Sequence, residues 1–301
     1  MLIPNQKIDL PILGEKGVSL YIKREDSIHP HISGNKYRKL KYNLQEAKKL
    51  NHSTLLTFGG AFSNHIAATA CAGIEQGLKT IGVIRGEELK DNWQDNPTLQ
   101  LAREHGMEFH FVSRSDYQKK NEKSFLDELK DVFGEFYLIP EGGSNELAVE
   151  GCKEILTETD SRFDFICSCV GTGGTIAGLI NSAKPHQTVW GFPALKGNFL
   201  KEDIRKFARN ENWELISDYH FGGYAKVDAD LIDFINTFKK ETGIPLDPIY
   251  TGKMVFGIFD LIKKDAFKKG TQILAIHTGG LQGIKGMNLV LKKRNLPLLD
   301  V

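Results

Sequence analysis

Phe163-Asp164-Phe165-Ile166-Cys167-Ser168-Cys169-Val170 is followed directly by Gly171-Thr172-Gly173-Gly174-Thr175. The first part is almost wholly apolar, which predicts a central strand of a parallel sheet that is covered on both faces. The glycines predict a tight turn, and residues 175–183 are expected to form a helix. Because strand, turn and helix together are the repeating unit of α/β proteins, this stretch predicts the fold class.

Strand-like and helix-like segments alternate on both sides of this stretch. Apolar runs predict further strands at 18–23, 54–58, 80–84, 108–112, 136–139, 187–192 and 272–277. Helical spacing predicts helices that start near Ser33 and at 63–76, 98–105, 124–133, 147–157, 231–242, 255–267 and 283–293. The connections are short, so the pattern indicates parallel sheets with helices on both faces.

The length of 301 residues is long for one compact domain and sufficient for two. The pattern divides near 44–51 and again near 142–151. We therefore predict two open parallel-sheet α/β domains. Residues 1–45 and 151–301 would form the larger one, and residues 46–150 would form a smaller one inserted in it.

The composition argues against several classes of function. The net charge of +1 creates no global field that would attract nucleic acid or an anionic membrane. No apolar run approaches the length of a bilayer span, and the N-terminus lacks the pattern of a signal peptide. The four cysteines contain no C-x-x-C pair and are expected to be buried thiols. We expect a cytoplasmic protein with no metal, nucleic-acid or membrane partner.

The turn from Gly171 to Thr175 carries the strongest chemical signal. Glycines allow backbone N–H groups to close on an anion, and a helix N-terminus adds a favourable potential. The turn therefore predicts a phosphate site, with an unliganded strand-to-helix turn as the alternative. It is not a P-loop, because no lysine follows the last glycine. It is not a dinucleotide fingerprint, because Ile176 stands where the third glycine would be.

Ser33-Gly34-Asn35-Lys36 opens another predicted helix, with Ser33 as the expected N-cap. Lys36 would lie at the first helical turn, where the helix dipole and neighbouring basic residues lower the pKa of a lysine. A neutral amine is the form that attacks carbonyl groups. A solvated basic helix start is the alternative. The other basic side chains are expected on an exposed face, or as a source of potential beside a cofactor: Arg38, Lys39 and Lys41.

Two further stretches carry polar residues near strand ends. Gly59-Gly60-Ala61-Phe62-Ser63-Asn64-His65 predicts a turn and a helix start that suit a carboxylate. Asp247-Pro248-Ile249-Tyr250-Thr251-Gly252-Lys253 is accompanied by Tyr224 and by His277-Thr278-Gly279-Gly280. A poised amine, a phosphate site and polar strand ends together indicate pyridoxal 5′-phosphate, which has both an aldehyde and a phosphate.

These motifs resemble the pyridoxal-phosphate enzymes of fold type II, in the branch of 1-aminocyclopropane-1-carboxylate deaminase and D-cysteine desulfhydrase. The resemblance covers almost the whole chain. It implies a tryptophan synthase β-like fold with the cofactor in the cleft between two domains, and it implies a homodimer.

The resemblance also implies a role for each motif. Lys36 matches the lysine that forms a Schiff base with the cofactor. Ser63, Asn64 and His65 resemble the loop that holds the substrate carboxylate, where Asn64 also contacts the phenolic oxygen of the cofactor. Tyr250 resembles a catalytic tyrosine, and Tyr224 would pack near the cofactor ring. The remaining positions match the phosphate cradle: Gly171, Thr172, Gly173, Gly174 and Thr175.

Two positions favour the desulfhydrase within this branch. The deaminase pattern has Glu where this chain has Thr251, and Leu where it has Thr278. A hydroxyl at the pyridine nitrogen would leave that nitrogen largely neutral. Such a ring should suffice to expel a thiolate, because the pKa of a thiol is only about 8.5. Opening a cyclopropane should need a stronger electron sink. Either threonine could face the nitrogen.

We therefore predict a pyridoxal-phosphate-dependent β-elimination from a small amino acid, with D-cysteine giving pyruvate, sulfide and ammonia. Lys36 or Tyr250 would take the α-proton, and Ser63 and Asn64 would hold the carboxylate. The alternatives on the same scaffold are a 1-aminocyclopropane-1-carboxylate deaminase and a D-serine-type ammonia-lyase. A non-catalytic α/β protein that binds a phosphorylated ligand is the alternative from another class.

Overall fold

A computed structural model describes residues 3–197 and 199–300 of the chain. Within these residues the strands are, in chain order, β1 (Asn5–Lys7), β2 (Ser19–Lys23), β3 (Thr54–Gly60), β4 (Lys79–Arg85), β5 (Glu108–Val112), β6 (Tyr137–Ile139), β7 (Phe165–Val170), β8 (Thr188–Pro193), β9 (Trp213–Leu215) and β10 (Gln272–Ile276). The helices are α1 (Pro11–Lys16), α2 (Asn35–Lys49), α3 (Asn64–Glu75), α4 (Pro97–Glu104), α5 (Arg114–Gln118), α6 (Lys123–Phe133), α7 (Glu146–Lys153), α8 (Gly174–Ser182), α9 (Phe199–Arg205), α10 (Ala229–Thr242), α11 (Thr251–Lys263) and α12 (Gly283–Lys293).

The strands form two sheets. The six-stranded sheet has the order β1-β2-β10-β7-β8-β9, and the four-stranded sheet has the order β5-β4-β3-β6. Every pairing is parallel except that of β1 with β2 at one edge. The predicted α/β class with two open parallel sheets is confirmed.

Strand β7 lies between β10 and β8 and is the best-buried strand of the larger sheet. Successive side chains of a strand face opposite sides of its sheet. Cys167 and Cys169 therefore pack into the core beneath α10 and α11, while Ile166 and Val170 pack into the core beneath α8. Burial on both faces explains why this stretch carries almost no polar residues.

The first 50 residues supply a strand to the larger sheet and a helix that packs on the smaller one. Strand β2 pairs with β10 in the larger sheet. In contrast, Leu40 and Ala47 of α2 pack with residues of the smaller sheet and of α3, including Leu55 and Ile139. The domain boundaries near residues 45 and 150 stay a prediction, and this packing places one face of α2 in the core of the smaller sheet.

Ser33 is not the N-cap of α2, which corrects one expectation. Gly34 occupies that position with a φ of 61°, and the Ser33 hydroxyl instead donates to the carbonyl of Asp26 at 3.4 Å. A Cβ on Gly34 would lie 1.9 Å from the carbonyl oxygen of Thr278, so only glycine allows this close approach. The start of α2 is therefore fastened to the end of β10.

The elements that the sequence pattern missed are short: β1, α1, α5, α9 and β9. Helix α1 does carry end signals, since Pro11 is its first residue and Gly17 closes it in the left-handed conformation. None of the helices within residues 3–197 and 199–300 is both long enough and apolar enough to span a lipid bilayer.

Candidate active site

A cavity of about 610 Å³ opens where the carboxyl ends of the two sheets face each other. Gly60 and Arg85 reach it from the ends of β3 and β4, and Val170 and Thr278 reach it from the ends of β7 and β10. Open parallel sheets bind their ligands at this edge. The predicted site residues that line the cavity are Lys36, Ser63, Asn64, His65, Gly171, Thr172, Gly173, Thr175, Tyr224, Tyr250 and Thr278.

Lys36 is in the first turn of α2, and its Nζ donates to the carbonyl of Gly142 at 3.1 Å. Burial, and then the charge of Lys39, hold the pKa of Lys36 well below 10.5. Desolvation disfavours the charged form of an amine, and a like charge nearby does so as well. The amine is therefore available in its neutral form, as a group that attacks an aldehyde must be.

Lys39 is the main site residue to which the sequence pattern gave no specific role. It is only 2% exposed, and its Nζ donates to the carbonyl of Gly142 and to the hydroxyl of Ser144, both at 2.9 Å. Burial lowers the pKa of Lys39 to about 8. No carboxylate accepts from Lys39 within the described part of the chain. Its spacing from Lys36, one helical turn, was the available signal.

Gly171, Thr172 and Gly173 form the turn between β7 and α8, in the predicted order of strand, turn and helix. Gly173 has a φ of 81°, and Gly174 is the first residue of the helix. A Cβ on Gly174 would lie 3.2 Å from the Nζ of Lys39, so the ammonium group lies against this helix start. The Thr172 and Thr175 hydroxyls bond to Ser144 and Asn35, at 2.6 and 2.7 Å.

These groups fit the phosphate of pyridoxal 5′-phosphate. A buried cation without an acidic partner, beside a glycine turn at a helix N-terminus, supplies both charge and N–H donors. Lys36 and Lys39 share the Gly142 carbonyl as an acceptor, so their two nitrogens lie close together. One amine for an aldehyde and one ammonium for a phosphate therefore occupy the same end of the cavity.

The loop between β3 and α3 forms the opposite wall. Ser63 is the N-cap of α3, and its hydroxyl accepts from the N–H of Ile66 at 3.4 Å. The side chain of Asn64 accepts a hydrogen bond from Gln282. This helix start presents neutral donors, which suit a carboxylate.

His65 is fully buried behind this loop. The Thr57 hydroxyl donates to the carbonyl of Ile139 at 2.8 Å, so it accepts from Nε2 of His65, also at 2.8 Å. This network assigns the proton to Nε2 and leaves Nδ1 unprotonated, with no partner among the described residues. Burial, then Lys36 and Lys39, lower the pKa of His65 well below 6.5, so the ring is neutral.

The two predicted tyrosines meet at the edge of the cavity. The rings of Tyr224 and Tyr250 meet edge to face, with centroids 6.2 Å apart and 65° between their planes. A Cβ on Gly171 would come within 3.2 Å of the Tyr250 ring, so the glycine turn and this tyrosine are in close contact. Burial, and then Tyr224, raise the pKa of Tyr250 well above 10. Tyr250 therefore keeps its proton near neutral pH.

The structure separates the two candidate threonines. The Thr251 hydroxyl donates to the Asp247 carboxylate at 2.7 Å and accepts from the Asp247 N–H, and Thr251 does not line the cavity. Thr278 lines the cavity, and its hydroxyl contacts the sulfur of Cys169 at 3.0 Å. Of the two, Thr278 is the one placed to face a ligand. Gly174, another predicted cofactor-binding residue, does not line the cavity either and is the first residue of α8.

A second group of polar residues that the sequence pattern missed lies elsewhere along the cavity wall. The Tyr117 hydroxyl donates to Glu141 at 2.8 Å, and Lys120 pairs with the same carboxylate at 3.5 Å. The exposed guanidinium of Arg85 lies over the Tyr117 ring, 5.5 Å from its centroid. These residues come from α5, the loop after it, the end of β4 and the turn after β6, and only the tertiary fold brings them together.

Residues 2–279 match the family model of pyridoxal-phosphate dependent enzymes. The chain belongs to this family. Its predicted cofactor, pyridoxal 5′-phosphate, is thereby confirmed, and the non-catalytic alternative is set aside.

Individual relatives indicate which branch of the family the chain resembles. A Pyrococcus abyssi protein with the provisional name of 1-aminocyclopropane-1-carboxylate deaminase is 32% identical, over 90% of this chain and 87% of its own length. The bifunctional D-cysteine desulfhydrase/1-aminocyclopropane-1-carboxylate deaminase of Arabidopsis thaliana is 32% identical, over 93% of this chain and 77% of its own. The predicted branch is confirmed, and both activities occur among the names of its members.

A solved structure supports the architecture. The crystal structure of a 1-aminocyclopropane-1-carboxylate deaminase homologue superposes with a TM-score of 0.80 at 32% identity, covering 94% of this chain and 90% of the other. The predicted fold type II, tryptophan synthase β-like architecture is confirmed.

Proposed function

We propose that the protein catalyses β-elimination from a small amino acid, with D-cysteine and water giving pyruvate, sulfide and ammonia. The observation that carries this choice is Thr278, which lines the cavity and whose hydroxyl contacts the sulfur of Cys169 rather than a carboxylate among the described residues. Thr251 occupies the position where the resembling deaminases have Glu, and its hydroxyl is already committed to Asp247.

Lys36, Lys39 and Thr278 would hold the cofactor at its aldehyde, phosphate and ring nitrogen. When bound, pyridoxal 5′-phosphate draws electrons away from the α-carbon of the substrate. A hydroxyl at the ring nitrogen makes this withdrawal weaker than a carboxylate would. Weak withdrawal suits the expulsion of a thiolate, which is a stable leaving group, better than the opening of a cyclopropane.

Side chains of the protein bind the substrate carboxylate and transfer the protons. The Ser63 hydroxyl and the N-terminus of α3 hold the substrate carboxylate. Lys36 and Tyr250 are the two candidates for the base that takes the α-proton, and their pKa values are shifted in opposite directions. Lys36 has a lowered pKa and accepts a proton as a neutral amine, whereas Tyr250 has a raised pKa and remains a donor. We therefore assign proton abstraction to Lys36, and hydrogen bonding to the departing sulfur to Tyr250.

The names of the relatives support a second candidate, 1-aminocyclopropane-1-carboxylate deaminase activity. The test is the release of 2-oxo acid from D-cysteine, L-cysteine, D-serine, β-chloro-D-alanine and 1-aminocyclopropane-1-carboxylate, with the Lys36→Ala protein as the blank. We expect the highest kcat/KM with D-cysteine. Equal or higher efficiency with the cyclopropane would establish the second candidate, and a preference for D-serine would indicate an ammonia-lyase.

The homodimer and the cytoplasmic location belong to the same proposal, supported by the resemblance and by the cysteines. The four cysteines are buried and unbridged, as expected of a protein from a reducing compartment.

A further inference from the structure

The loop that carries Tyr224 has an unusual backbone. Four of its residues have φ in the left-handed region: Phe221 at 54°, Gly222 at 89°, Gly223 at 121° and Ala225 at 55°. Residues other than glycine rarely adopt such angles, because they strain the backbone. Such strain persists only where surrounding contacts enforce the conformation. Tyr224 itself is 40% exposed, so its own burial does little to hold the loop in place.

Lys253 is the contact that closes this loop. Its Nζ donates to the carbonyl of His220 at 2.9 Å and to the carbonyl of Gly223 at 2.8 Å. The His220 carbonyl also accepts from the N–H of Gly223, and the Gly223 carbonyl accepts from the N–H of Lys226. The lysine therefore completes two turns that flank Tyr224.

Lys253 has no acidic hydrogen-bond partner within the described residues, although it is only 2% exposed. Burial lowers its pKa to about 8, while the charges of Asp247 and Asp228 act in the opposite direction. A buried lysine without an ion pair is costly. A methionine would fill similar space without that cost, so stability alone does not account for a lysine here.

Lys253 also belongs to the element that places the other tyrosine. It is the third residue of α11, and Tyr250 lies immediately before that helix. The only covalent connection between the two tyrosines is the chain of residues 225–249, which includes all of α10. The bond from Lys253 to the loop links them over a much shorter distance.

We propose that Lys253 is a positioning residue that sets the place of Tyr224 relative to Tyr250 and the cavity. It contacts neither the cavity nor a ligand, and it acts through the backbone of residues 220–223. Its effect on turnover rests on the proposed function, whereas its effect on the loop does not.

The test compares Lys253→Met with Lys263→Met, an exposed lysine on the same helix. Amide hydrogen exchange of the cofactor-loaded protein reports on the loop, and 2-oxo acid release reports on turnover. We expect Lys253→Met to speed exchange at residues 221–226 and to lower kcat about tenfold. Lys263→Met should change neither. Lys253→Arg, which keeps a cation with several donors, should recover a large part of the loss.

A double-mutant cycle with Tyr224→Ala separates positioning from a general loss of structure. If Lys253 acts through Tyr224, Lys253→Met should lower kcat less than twofold once Tyr224 is alanine. An equal factor in both backgrounds, or unchanged loop exchange, overturns the proposal. Gly223→Ala keeps the lysine and strains the loop at one of the two residues whose carbonyls accept from it, and it takes the place of Lys253→Met in the cycle if that variant does not fold. Faster loop exchange in a protein without lyase activity would refute the function and leave the positioning role standing.

Discussion

Two strand-to-helix turns face each other across the cavity, and they differ in how they treat an anion. The turn after β7 has no side-chain cap among the described residues, and a buried ammonium, that of Lys39, lies against it. The turn after β3 has a neutral cap, Ser63, and its nearest guanidinium, that of Arg85, is exposed. Both turns join a parallel strand to the start of a helix, and the side chains around them make one suited to a phosphate dianion and the other to a carboxylate.

The comparison shows that glycine turns alone do not specify a ligand. Both turns offer N–H groups at a helix start, and both follow a parallel strand. The difference is the charge behind them. A charge-assisted hydrogen bond contributes about 1.5–3 kcal/mol, more than a neutral one. Substitutions at one turn should therefore affect cofactor binding, and substitutions at the other should affect substrate binding.

Lys39→Met should produce the largest effect. Losing one charge-assisted bond of about 1.5–3 kcal/mol corresponds to a loss of cofactor affinity of about 10- to 100-fold. The affinity of the cofactor-free protein is measured by absorbance for pyridoxal 5′-phosphate and for pyridoxal, which lacks the phosphate. Pyridoxal binding should change less than threefold. Lys41→Met is the matched control, because Lys41 pairs with Glu154 at 2.6 Å outside the cavity.

The pKa of about 8 at Lys39 adds a pH signature to this prediction. Above that pH the free protein has lost the proton that a bound phosphate favours, so binding must take it up again. The affinity for inorganic phosphate should then fall by up to about tenfold per pH unit above pH 8. Lys39→Met should lack this fall. In the comparison of the two ligands, if Lys39→Met lowered the affinity for pyridoxal and for pyridoxal 5′-phosphate by the same factor, Lys39 would be assigned to the aldehyde end of the cofactor.

Gly173→Ala should have the next largest effect. An alanine with a φ of 81° costs about 1–2 kcal/mol, and its Cβ would lie 3.1 Å from the side chain of Ile204. Gly60→Ala in the opposite turn is the control, because its Cβ would make only an ordinary contact with Arg85, at 3.5 Å. Urea unfolding measures the free energy of both. Equal losses would mean that the two turns are equally strained.

Local patterns predicted the parts of this molecule that short-range physics determines. The apolar run that forms β7, the glycine turn after it and the capped start of α3 each depend on neighbouring residues. Their place at one edge also followed, because the ends of parallel strands meet there.

The burial of Lys39 could not be predicted in the same way. Its acceptors Gly142 and Ser144 are more than 100 residues away in the chain, so its environment is a property of the assembled sheets. The expectation that Lys39 lies on an exposed face is wrong, since it is buried, and its role as a source of potential beside the cofactor stays a prediction. The bond between Thr251 and Asp247 is different, because it spans only four residues and is formed within one short stretch of the chain.

Ser63→Ala should have the smallest effect and sharpen the comparison most. Losing one hydrogen bond from a neutral hydroxyl to the substrate carboxylate, about 1.5 kcal/mol at the low end for a bond to a charged group, should raise KM about tenfold and leave cofactor affinity within twofold. Ser144→Ala is the mirror control, because the Ser144 hydroxyl accepts from Lys39 at 2.9 Å on the phosphate side. It should weaken cofactor binding a few-fold and leave KM unchanged. If Ser63→Ala weakened cofactor binding instead, the two turns would not divide the anions as their charges indicate.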